Sequence, residues 1–308
     1  MARTKMILDN DFGGDPDGLF GLAHHLLSPS ADIRMVVVSH VMPNDPNWPT
    51  EGDSVQKGLR DVEPIYQYTG VWPKTYPGLN EHLIQHQSLD IDETLKALIA
   101  EVESTEGLIW YICGGPMTQL ARLVRAKPKN LDKLRVLWIG GSEYDGIYPP
   151  GGTSFEYNLA ADPESVSIVF ANPDIELWHI PRDSYRRCVV SFAELNAKLR
   201  NGSDLSRHLL QTISKVRVKT LENGIDIGET YCMGDQALVL LSVLENSFEP
   251  TPAGSNFYAS ARYAVNLDGS YGEDLGFAKD KTRVFKELDT RILFEDMFAK
   301  FGGASGEI

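Results

Sequence analysis

Short runs of apolar residues alternate along this chain with segments in which apolar residues recur every three or four positions. The runs are typical of buried strands, and the wider spacing is typical of amphipathic helices. The runs predict strands at residues 6–8, 35–41, 108–113, 134–139 and 176–180. Repeated strand-loop-helix alternation predicts an α/β fold with an open, mostly parallel, Rossmann-like sheet and helices on both faces.

Helical spacing marks most of the segments between these strands. Helices are predicted at residues 19–26, 53–61, 91–103, 117–126, 162–170, 191–223 and 234–244. Residues 64–90 are rich in Tyr, Pro and His, and this long connection is expected to be irregular and to form a lid or a pocket wall. Residues 257–301 are predicted as strands closed by a helix. Because no linker interrupts the pattern, residues 1–308 are expected to form a single domain.

Composition and charge exclude several classes of binding partner for this chain. Of its 308 residues, 42% are hydrophobic and 23% are charged, as in ordinary soluble globular proteins. The net charge of −14 argues against nucleic-acid polymers, anionic membranes and highly phosphorylated substrates as partners. A neutral small molecule or a cation fits this charge better.

The cysteines and the hydropathy pattern indicate a cellular compartment. Cys113, Cys188 and Cys232 are far apart and form no CxxC pair, so free thiols in a reducing compartment are expected. No apolar stretch resembles a signal segment or is long enough to span a bilayer. The expected location is the cytoplasm.

The densest cluster of charges follows the first predicted strand. Asp9, Asp11, Asp15 and Asp17 lie in one turn together with a Gly-Gly pair. A strand-to-helix turn lies at the carboxyl edge of an α/β sheet, where such folds bind their ligands. Four like charges so close together repel one another, and a bound cation would relieve the repulsion. Hard oxygen ligands of this kind suit Ca²⁺ or Mg²⁺.

An ordinary helix start is the alternative interpretation of the same turn. Asp15 would be the N-cap, Pro16 the first helical residue, and Asp17 a charge that favours the positive end of the helix. This alternative fully explains the presence of Asp15 and partly explains that of Asp17. It does not explain Asp9 and Asp11, which directly follow the strand, so both interpretations stay open.

The turn also resembles the N-terminal signature of the inosine-uridine-preferring nucleoside hydrolase family, Asp-x-Asp-Pro-Gly-x-Asp-Asp. Asp9, Asp11 and Gly13 match this signature, whereas Phe12 replaces its Pro. The closing Asp-Asp pair is split by Pro16, so the loop is one residue longer.

Five further segments resemble motifs of the same family, in the family's order. They are Gly-Pro-Met-Thr-Gln-Leu-Ala at 115–121, similar to Gly-Pro-Leu-Thr-Asn-x-Ala; Ile-Gly-Gly at 139–141, similar to Met-Gly-Gly; Phe-Glu-Tyr-Asn at 155–158 with Asp-Pro-Glu at 162–164, similar to Glu-Phe-Asn…Asp-Pro-Glu-Ala; Pro-Arg-Asp at 181–183, similar to Pro-Leu-Asp; and Gly-Asp at 234–235, similar to His-Asp. The resemblance covers nearly the whole chain and implies the nucleoside hydrolase fold.

The resemblance also implies an activity and a set of site residues. The activity is Ca²⁺-dependent hydrolysis of the N-glycosidic bond of purine or pyrimidine ribonucleosides, which releases a free base and ribose. Asp11 would be the general base on a metal-bound water, and the enzyme would be a homodimer or homotetramer. The implied metal ligands are Asp11, Asp15, Asp17, Asp235 and the backbone carbonyl of Gly114; the implied substrate contacts are Asp15, His40, Asn44, Glu156, Asn158 and Asp235.

The chain departs from the family where Gly234 replaces the histidine that is expected to protonate the leaving base. A glycine has no side chain to donate a proton. Either the base is made more basic by stacking, or another side chain donates; the candidates are His82, His86, Tyr144 and Tyr231. Two other functions stay open: a hydrolase acting on a different glycosyl substrate, and a non-catalytic protein that binds a sugar or a nucleoside.

Purely structural roles are the alternative for several of these residues. Asp235 is a plausible N-cap of the helix that follows it. Glu156 and Asn158 could be ordinary hydrogen-bonding groups of a loop. Gly114 could serve only a tight turn.

Overall fold

The computed structural model of the protein describes residues 4–43, 45, 53–85, 88–144, 155–245, 255–277 and 279–303. Its centre is an eight-stranded sheet in the order β3-β2-β1-β4-β5-β6-β12-β9. Neighbouring strands are parallel except for the pair β12 and β9. The strands are β1 (Thr4–Asn10), β2 (Ala31–Val38), β3 (Thr75–Pro77), β4 (Ile109–Cys113), β5 (Leu134–Ile139), β6 (Glu176–Ile180), β7 (Val189–Ser191), β8 (Thr230–Cys232), β9 (Asn256–Ala259), β10 (Tyr263–Val265), β11 (Tyr271–Asp274) and β12 (Thr282–Glu287).

Helices fill most of the connections between the strands. They are α1 (Asp17–Leu26), α2 (Ser54–Thr69), α3 (Glu93–Ser104), α4 (Thr118–Ala126), α5 (Tyr157–Ala161), α6 (Pro163–Phe170), α7 (Arg182–Tyr185), α8 (Phe192–Leu199), α9 (Asp204–Glu222), α10 (Gln236–Val239) and α11 (Thr290–Phe301). The mostly parallel sheet confirms the predicted α/β fold class.

The alternation of side chains along β1 explains why helices cover both faces of the sheet. Met6 and Leu8 belong to one hydrophobic cluster, whereas Ile7 between them belongs to a second cluster. Successive side chains of a strand point to opposite faces, so a continuous apolar run needs an apolar layer on each side. Helix α1 packs its apolar residues into the first cluster, and α3 and α4 pack theirs into the second.

The strand order places a crevice between β1 and β4. The chain builds the sheet outward from β1 through β2 and β3, and then returns to add β4 on the other side of β1. The connections after β1 and β4 therefore diverge, which leaves an open crevice outside the carboxyl ends of the two strands. The acidic turn follows β1, and Gly114 follows β4 directly.

The structure corrects two predictions in the first half of the chain. The second strand ends at Val38 and not at residue 41. The prediction of irregular structure for residues 64–90 is wrong in part, because α2 continues to Thr69 and β3 lies further on. Helix α2 continues through Pro64 because its apolar face continues, and it ends where Gly70 adopts a left-handed conformation.

The predicted helix at residues 191–223 is in fact two helices, α8 and α9. The break lies around Ser203, whose hydroxyl accepts a hydrogen bond from the Ser206 amide and caps α9. The predicted helix at 234–244 is confirmed in type, but α10 passes into a π-helical turn over residues 240–244. No helix within the described ranges is both long enough and apolar enough to cross a membrane.

Glycine packing fixes the acidic turn against α2. A Cβ added to Gly13 would lie far inside contact distance of the Ser54 carbonyl oxygen, and a Cβ added to Gly58 would lie 2.8 Å from the Gly13 nitrogen. Both contacts are with backbone atoms, which cannot move aside as a flexible side chain can. The close approach of the two backbones therefore requires glycine at both positions.

We expect Gly13→Ala to lower the free energy of unfolding by about 2 kcal/mol or more, because the new methyl group overlaps the backbone of α2. Urea denaturation followed by circular dichroism measures this change. Gly107→Ala is the matched control, since a Cβ at that position meets no atom within 4 Å. Equal stabilities of the two variants would contradict the predicted contact.

Candidate active site

The crevice outside β1 and β4 contains a cavity of about 200 Å³. Its carboxylates come from the turn before α1, from the residue before α5 and from the residue before α10. The described residues that line it are Asp11, Asp15, Asp17, Gly114, Ile139, Glu156, Tyr157, Asn158, Tyr185, Cys232, Gly234 and Asp235. The structure thus brings together the predicted site residues that it describes, with the exception of His40; Asn44 lies outside the described residues.

The start of α1 decides between the two interpretations of Asp15. The N-cap of α1 is Pro16, and no side chain caps the helix. Asp15 precedes this position, and its carboxylate instead accepts a hydrogen bond from the Tyr231 hydroxyl. The N-cap interpretation of Asp15 is therefore wrong. Asp17 is the first helical residue, and its Oδ2 accepts a hydrogen bond from the Asp235 backbone nitrogen at 3.1 Å.

Asp235 occupies the N-cap position of α10, but its side chain makes no capping hydrogen bond. Its Oδ2 instead accepts a hydrogen bond from Asn10 Nδ2 at 2.9 Å. This contact joins the end of β1 to a residue 225 positions later in the chain. No role for Asn10 is predicted from the sequence, because nothing in its local pattern indicates this distant partner.

The carboxylates of the cavity carry unfavourable charge. Desolvation within the cavity raises the pKa of Asp11 and Asp235 well above the usual range, and repulsion from Asp17 raises the pKa of each further. The pKa of Asp15 is raised by the same two causes, although this residue is exposed. Burial also raises the pKa of Asp17, to about 6, although hydrogen bonds from backbone amides oppose that shift. Such shifts are typical of functional sites, where like charges are held close together in a desolvated place.

The chemistry of the donors fits a hard divalent cation. The carboxylates that line the cavity supply oxygen atoms, which are the ligands that such a cation prefers. The neighbouring Asn10 has a buried Oδ1 without a hydrogen-bond partner, but Asn10 does not line the cavity. The side chains do not yet form a complete ligand sphere: within the described residues, no group of three or more His, Cys, Asp or Glu side chains converges on one point suitable for a metal ion. The site therefore has oxygen ligands of the type that such a cation prefers, and these side chains would have to move closer together to coordinate it.

Asn158 and Glu156 make the structural hydrogen bonds that the alternative interpretation expects, and they also line the cavity. Asn158 Nδ2 donates to the carbonyl oxygens of Gly114 and Ile139, at 3.0 and 2.9 Å. Glu156 Oε2 accepts hydrogen bonds from the backbone nitrogens of Gly141 and Leu159, at 2.7 and 3.0 Å. Their roles toward a substrate stay predictions.

His40, His82 and Tyr144 do not line the cavity. His40 is buried and forms hydrogen bonds with the Val41 carbonyl and the Thr118 hydroxyl. Tyr144 is hydrogen-bonded to His179, and His82 packs beside His40. Asn44 and His86 lie outside the described residues. The described lining of the cavity contains no histidine.

Asp9 anchors the strand below the turn. It is 1% exposed, and its carboxylate accepts hydrogen bonds from the hydroxyls of Ser39 and Tyr111. Burial raises its pKa to about 7, although these hydrogen bonds lower it. Because Ser39 follows β2 and Tyr111 lies in β4, Asp9 joins β1 to both neighbouring strands immediately beneath the cavity.

A larger cavity, of about 640 Å³, lies on the other side of the same turn, between α2 and α9. Phe12 and Leu19 line it together with the cationic side chains of Lys57, Arg60 and Lys215. These cationic groups end long, flexible side chains. The carboxylates of Asp11, Asp15 and Asp17 do not line this larger cavity. The smaller cavity is therefore the candidate active site.

The fold and the cavity define an α/β protein with an acidic cavity at the switch point of a mostly parallel sheet. Residues 49–293 match the family described as inosine-uridine preferring nucleoside hydrolase. This match covers most of the chain, and the chain belongs to that family. The matched segment begins after the acidic turn, so the turn itself is assigned to the site by the geometry.

Individual relatives match shorter parts of the chain. The pyrimidine-specific ribonucleoside hydrolase RihB of Escherichia coli O1:K1 is 32% identical over 79 residues, which are 25% of this chain and 24% of that protein. A protein of Shigella boydii serotype 4, which carries the same name provisionally, is 27% identical over 146 residues, or 46% of this chain and 58% of its own length. The chain thus spans less than two thirds of these relatives.

Solved structures resemble the whole fold. The purine-preferring ribonucleoside hydrolase from Gardnerella vaginalis has a TM-score of 0.73 at 17% identity, with 98% of this chain and 99% of that chain covered. The inosine-uridine preferring nucleoside hydrolase from Bacillus anthracis has a TM-score of 0.69 at 14% identity, with 96% and 99% covered. At these identities the likeness shows the fold, and it confirms the predicted nucleoside hydrolase fold.

We expect Asp9→Asn to gain stability relative to the natural protein as the pH rises from about 5 to 7. The raised pKa means that the folded protein holds the Asp9 proton more tightly than the unfolded chain does, so deprotonation at rising pH destabilises the natural protein and not the variant. The difference in free energy of unfolding should change by up to about 1.4 kcal/mol per pH unit.

Urea denaturation of both proteins, in chelator and at several pH values, measures this difference, because titrating groups that do not interact with Asp9 cancel in the comparison. Asp174→Asn, at an exposed site, is the control and should follow the natural protein at every pH. A constant difference between Asp9→Asn and the natural protein would contradict the raised pKa.

Proposed function

We propose that this protein hydrolyses the N-glycosidic bond of ribonucleosides and releases a free base and ribose. The observation that carries the proposal is the gathering of Asp11, Asp15, Asp17 and Asp235 around one cavity at the switch point of the sheet. Membership of the nucleoside hydrolase family supports it. Relatives and neighbours named for pyrimidine-specific and purine-preferring activities support a nucleoside substrate without selecting the base.

We further propose that the site binds Ca²⁺. Nucleoside hydrolases use a metal ion, and the proposed ligands here are the carboxylates of Asp11, Asp15, Asp17 and Asp235 with the carbonyl oxygen of Gly114. Ca²⁺ accepts six to eight oxygen ligands in flexible geometry, whereas Mg²⁺ demands a near-ideal octahedron. A set of ligands that must close around the ion favours Ca²⁺.

The bound cation would lower the pKa of water and orient the diol of the sugar. Asp11 then acts as the general base that accepts a proton from the attacking water. Asp15, Glu156 and Asn158 hold hydroxyl groups of the ribose from the walls of the cavity. The surrounding negative charge stabilises the positive charge that develops on the sugar as the bond to the base breaks.

Departure of the base usually requires a proton donor, and the described lining of the cavity contains no histidine that could serve as one. Gly234 stands at the edge of the cavity without a side chain to donate a proton. This observation favours a second candidate function, hydrolysis of a glycoside whose leaving group needs no proton. Activity on p-nitrophenyl riboside without activity on inosine would identify this second function.

Three expectations from the sequence stay predictions: a single domain, a homodimer or homotetramer, and a cytoplasmic location. None of them is needed for the proposed chemistry. Sedimentation of the purified protein measures the assembly directly.

We expect about one Ca²⁺ per chain in the purified protein, and loss of ribose release when a chelator removes it. Ca²⁺ should restore the activity better than Mg²⁺. Asp235→Ala should lower the calcium content, because it removes one proposed ligand, whereas Asp174→Ala should not. Elemental analysis with a ribose-release assay tests this, and calcium content unchanged in Asp235→Ala would reject that ligand.

We expect Asp11→Ala to lower kcat about a thousandfold on every substrate that the natural protein hydrolyses, because it removes the general base. Its free energy of unfolding should not fall, since the natural carboxylate is buried among like charges. Steady-state kinetics and urea denaturation measure the two quantities. Full activity in Asp11→Ala would remove this residue from the mechanism.

A further inference from the structure

The ring of Tyr185 occupies the space that a side chain at position 234 would need. A Cβ added to Gly234 would lie 2.9 Å from Tyr185 Cδ2 and 3.4 Å from Ile139 Cδ1. Approaches under 3.0 Å are not tolerated without movement, and here the obstacle is a ring held at both ends. Tyr185 is the last residue of α7, directly after β6, and Gly234 precedes α10. The two segments therefore share one small volume at the wall of the cavity.

The other end of Tyr185 holds Glu156. The Tyr185 hydroxyl donates a hydrogen bond to Glu156 Oε1 at 2.8 Å. The second carboxylate oxygen accepts from the backbone nitrogens of Gly141 and Leu159. Tyr185 thus supplies a side-chain hydrogen bond to a carboxylate that backbone amides also hold. Both residues line the cavity.

We propose that Tyr185 is a positioning residue that orients Glu156 toward the sugar of the substrate, and that position 234 is glycine so that the Tyr185 ring can reach this place. The proposal rests on the proposed function, in which Glu156 contacts the sugar. Under this proposal, the glycine in the Gly-Asp segment at 234–235 has a structural reason. The space that a side chain at residue 234 would need is occupied by the Tyr185 ring.

The chemistry of the phenol favours this role over proton donation to the leaving base. Burial and the neighbouring Glu156 raise the pKa of Tyr185 well above its usual range. The hydroxyl therefore keeps its proton at neutral pH and is a weak acid toward a departing base. The same property makes it a constant donor to a carboxylate, and hydrogen bonds to a charged acceptor are stronger than those between neutral groups.

The first test is Tyr185→Phe, which removes the hydroxyl and keeps the ring. We expect the KM of every riboside to rise about tenfold while kcat stays within about threefold, because the hydrogen bond to Glu156 is lost and the attacking groups are untouched. Inosine, uridine and p-nitrophenyl riboside should be affected equally, since they share the sugar. Tyr66→Phe, whose hydroxyl bonds to Thr75 away from the cavity, should leave KM unchanged.

Two outcomes of this test overturn the assignment. A KM unchanged in Tyr185→Phe shows that the phenol does not position a sugar-binding group. An effect on the nucleosides but not on p-nitrophenyl riboside shows that the phenol acts on the leaving base.

The second test examines the shared volume. Gly234→Ala should lower kcat/KM about tenfold in the natural background, because the methyl group displaces the ring. In the Tyr185→Ala background the same substitution should have less than a twofold effect, since the space is empty. Circular dichroism and thermal denaturation confirm that all four proteins fold. Equal effects of Gly234→Ala in the two backgrounds overturn the proposed steric link.

Calorimetric titration with ribose separates this proposal from the proposed function. If the natural protein releases ribose from no substrate but binds ribose, the hydrolase function fails, and Tyr185→Phe should still weaken ribose binding about tenfold. An unchanged affinity in that variant overturns the role of Tyr185 alone. A natural protein that neither binds ribose nor releases it overturns both.

Discussion

Mutual repulsion between clustered carboxylates is the constraint on which the rest of this structure depends. Asp11, Asp15, Asp17 and Asp235 share one cavity, in which Asp17 and Asp235 are buried, Asp11 is half-buried and Asp15 is exposed. Isolated charges of one sign would not stay together in such a place. The surrounding protein must hold them there mechanically, and it does so with backbone packing and with donors aimed at individual oxygen atoms.

The mechanical support comes from close backbone contacts and from tied strands. The turn packs on the first residues of α2 through Gly13 and Gly58, which leave no room for a Cβ. Beneath it, Asp9 joins β1 to its two neighbouring strands. Donors from Asn10 and Tyr231 each satisfy one carboxylate oxygen. The Asp235 backbone nitrogen donates to a further carboxylate oxygen, of Asp17.

The wall that Tyr185, Glu156 and Gly234 form shows how neighbouring positions of the cavity depend on one another. Gly234 has no side chain, and the Tyr185 ring lies in the space that one would need and donates a hydrogen bond to Glu156. A close-packed interior makes these positions interdependent, since atoms removed in one place are replaced by a neighbour. A single substitution at either position is therefore expected to act through the other.

The sequence by itself determined the α/β class, most strands and the carboxylates of the turn, because apolar periodicity and local charge density are properties of neighbouring residues. Only the tertiary structure decided that Asp15 bonds to Tyr231 and does not cap α1, that Asn10 holds Asp235, and that Tyr185 lies over Gly234. These contacts join residues far apart in the chain. They follow from the strand order, which brings the ends of β1, β4 and β5 to one crevice and which no local pattern encodes.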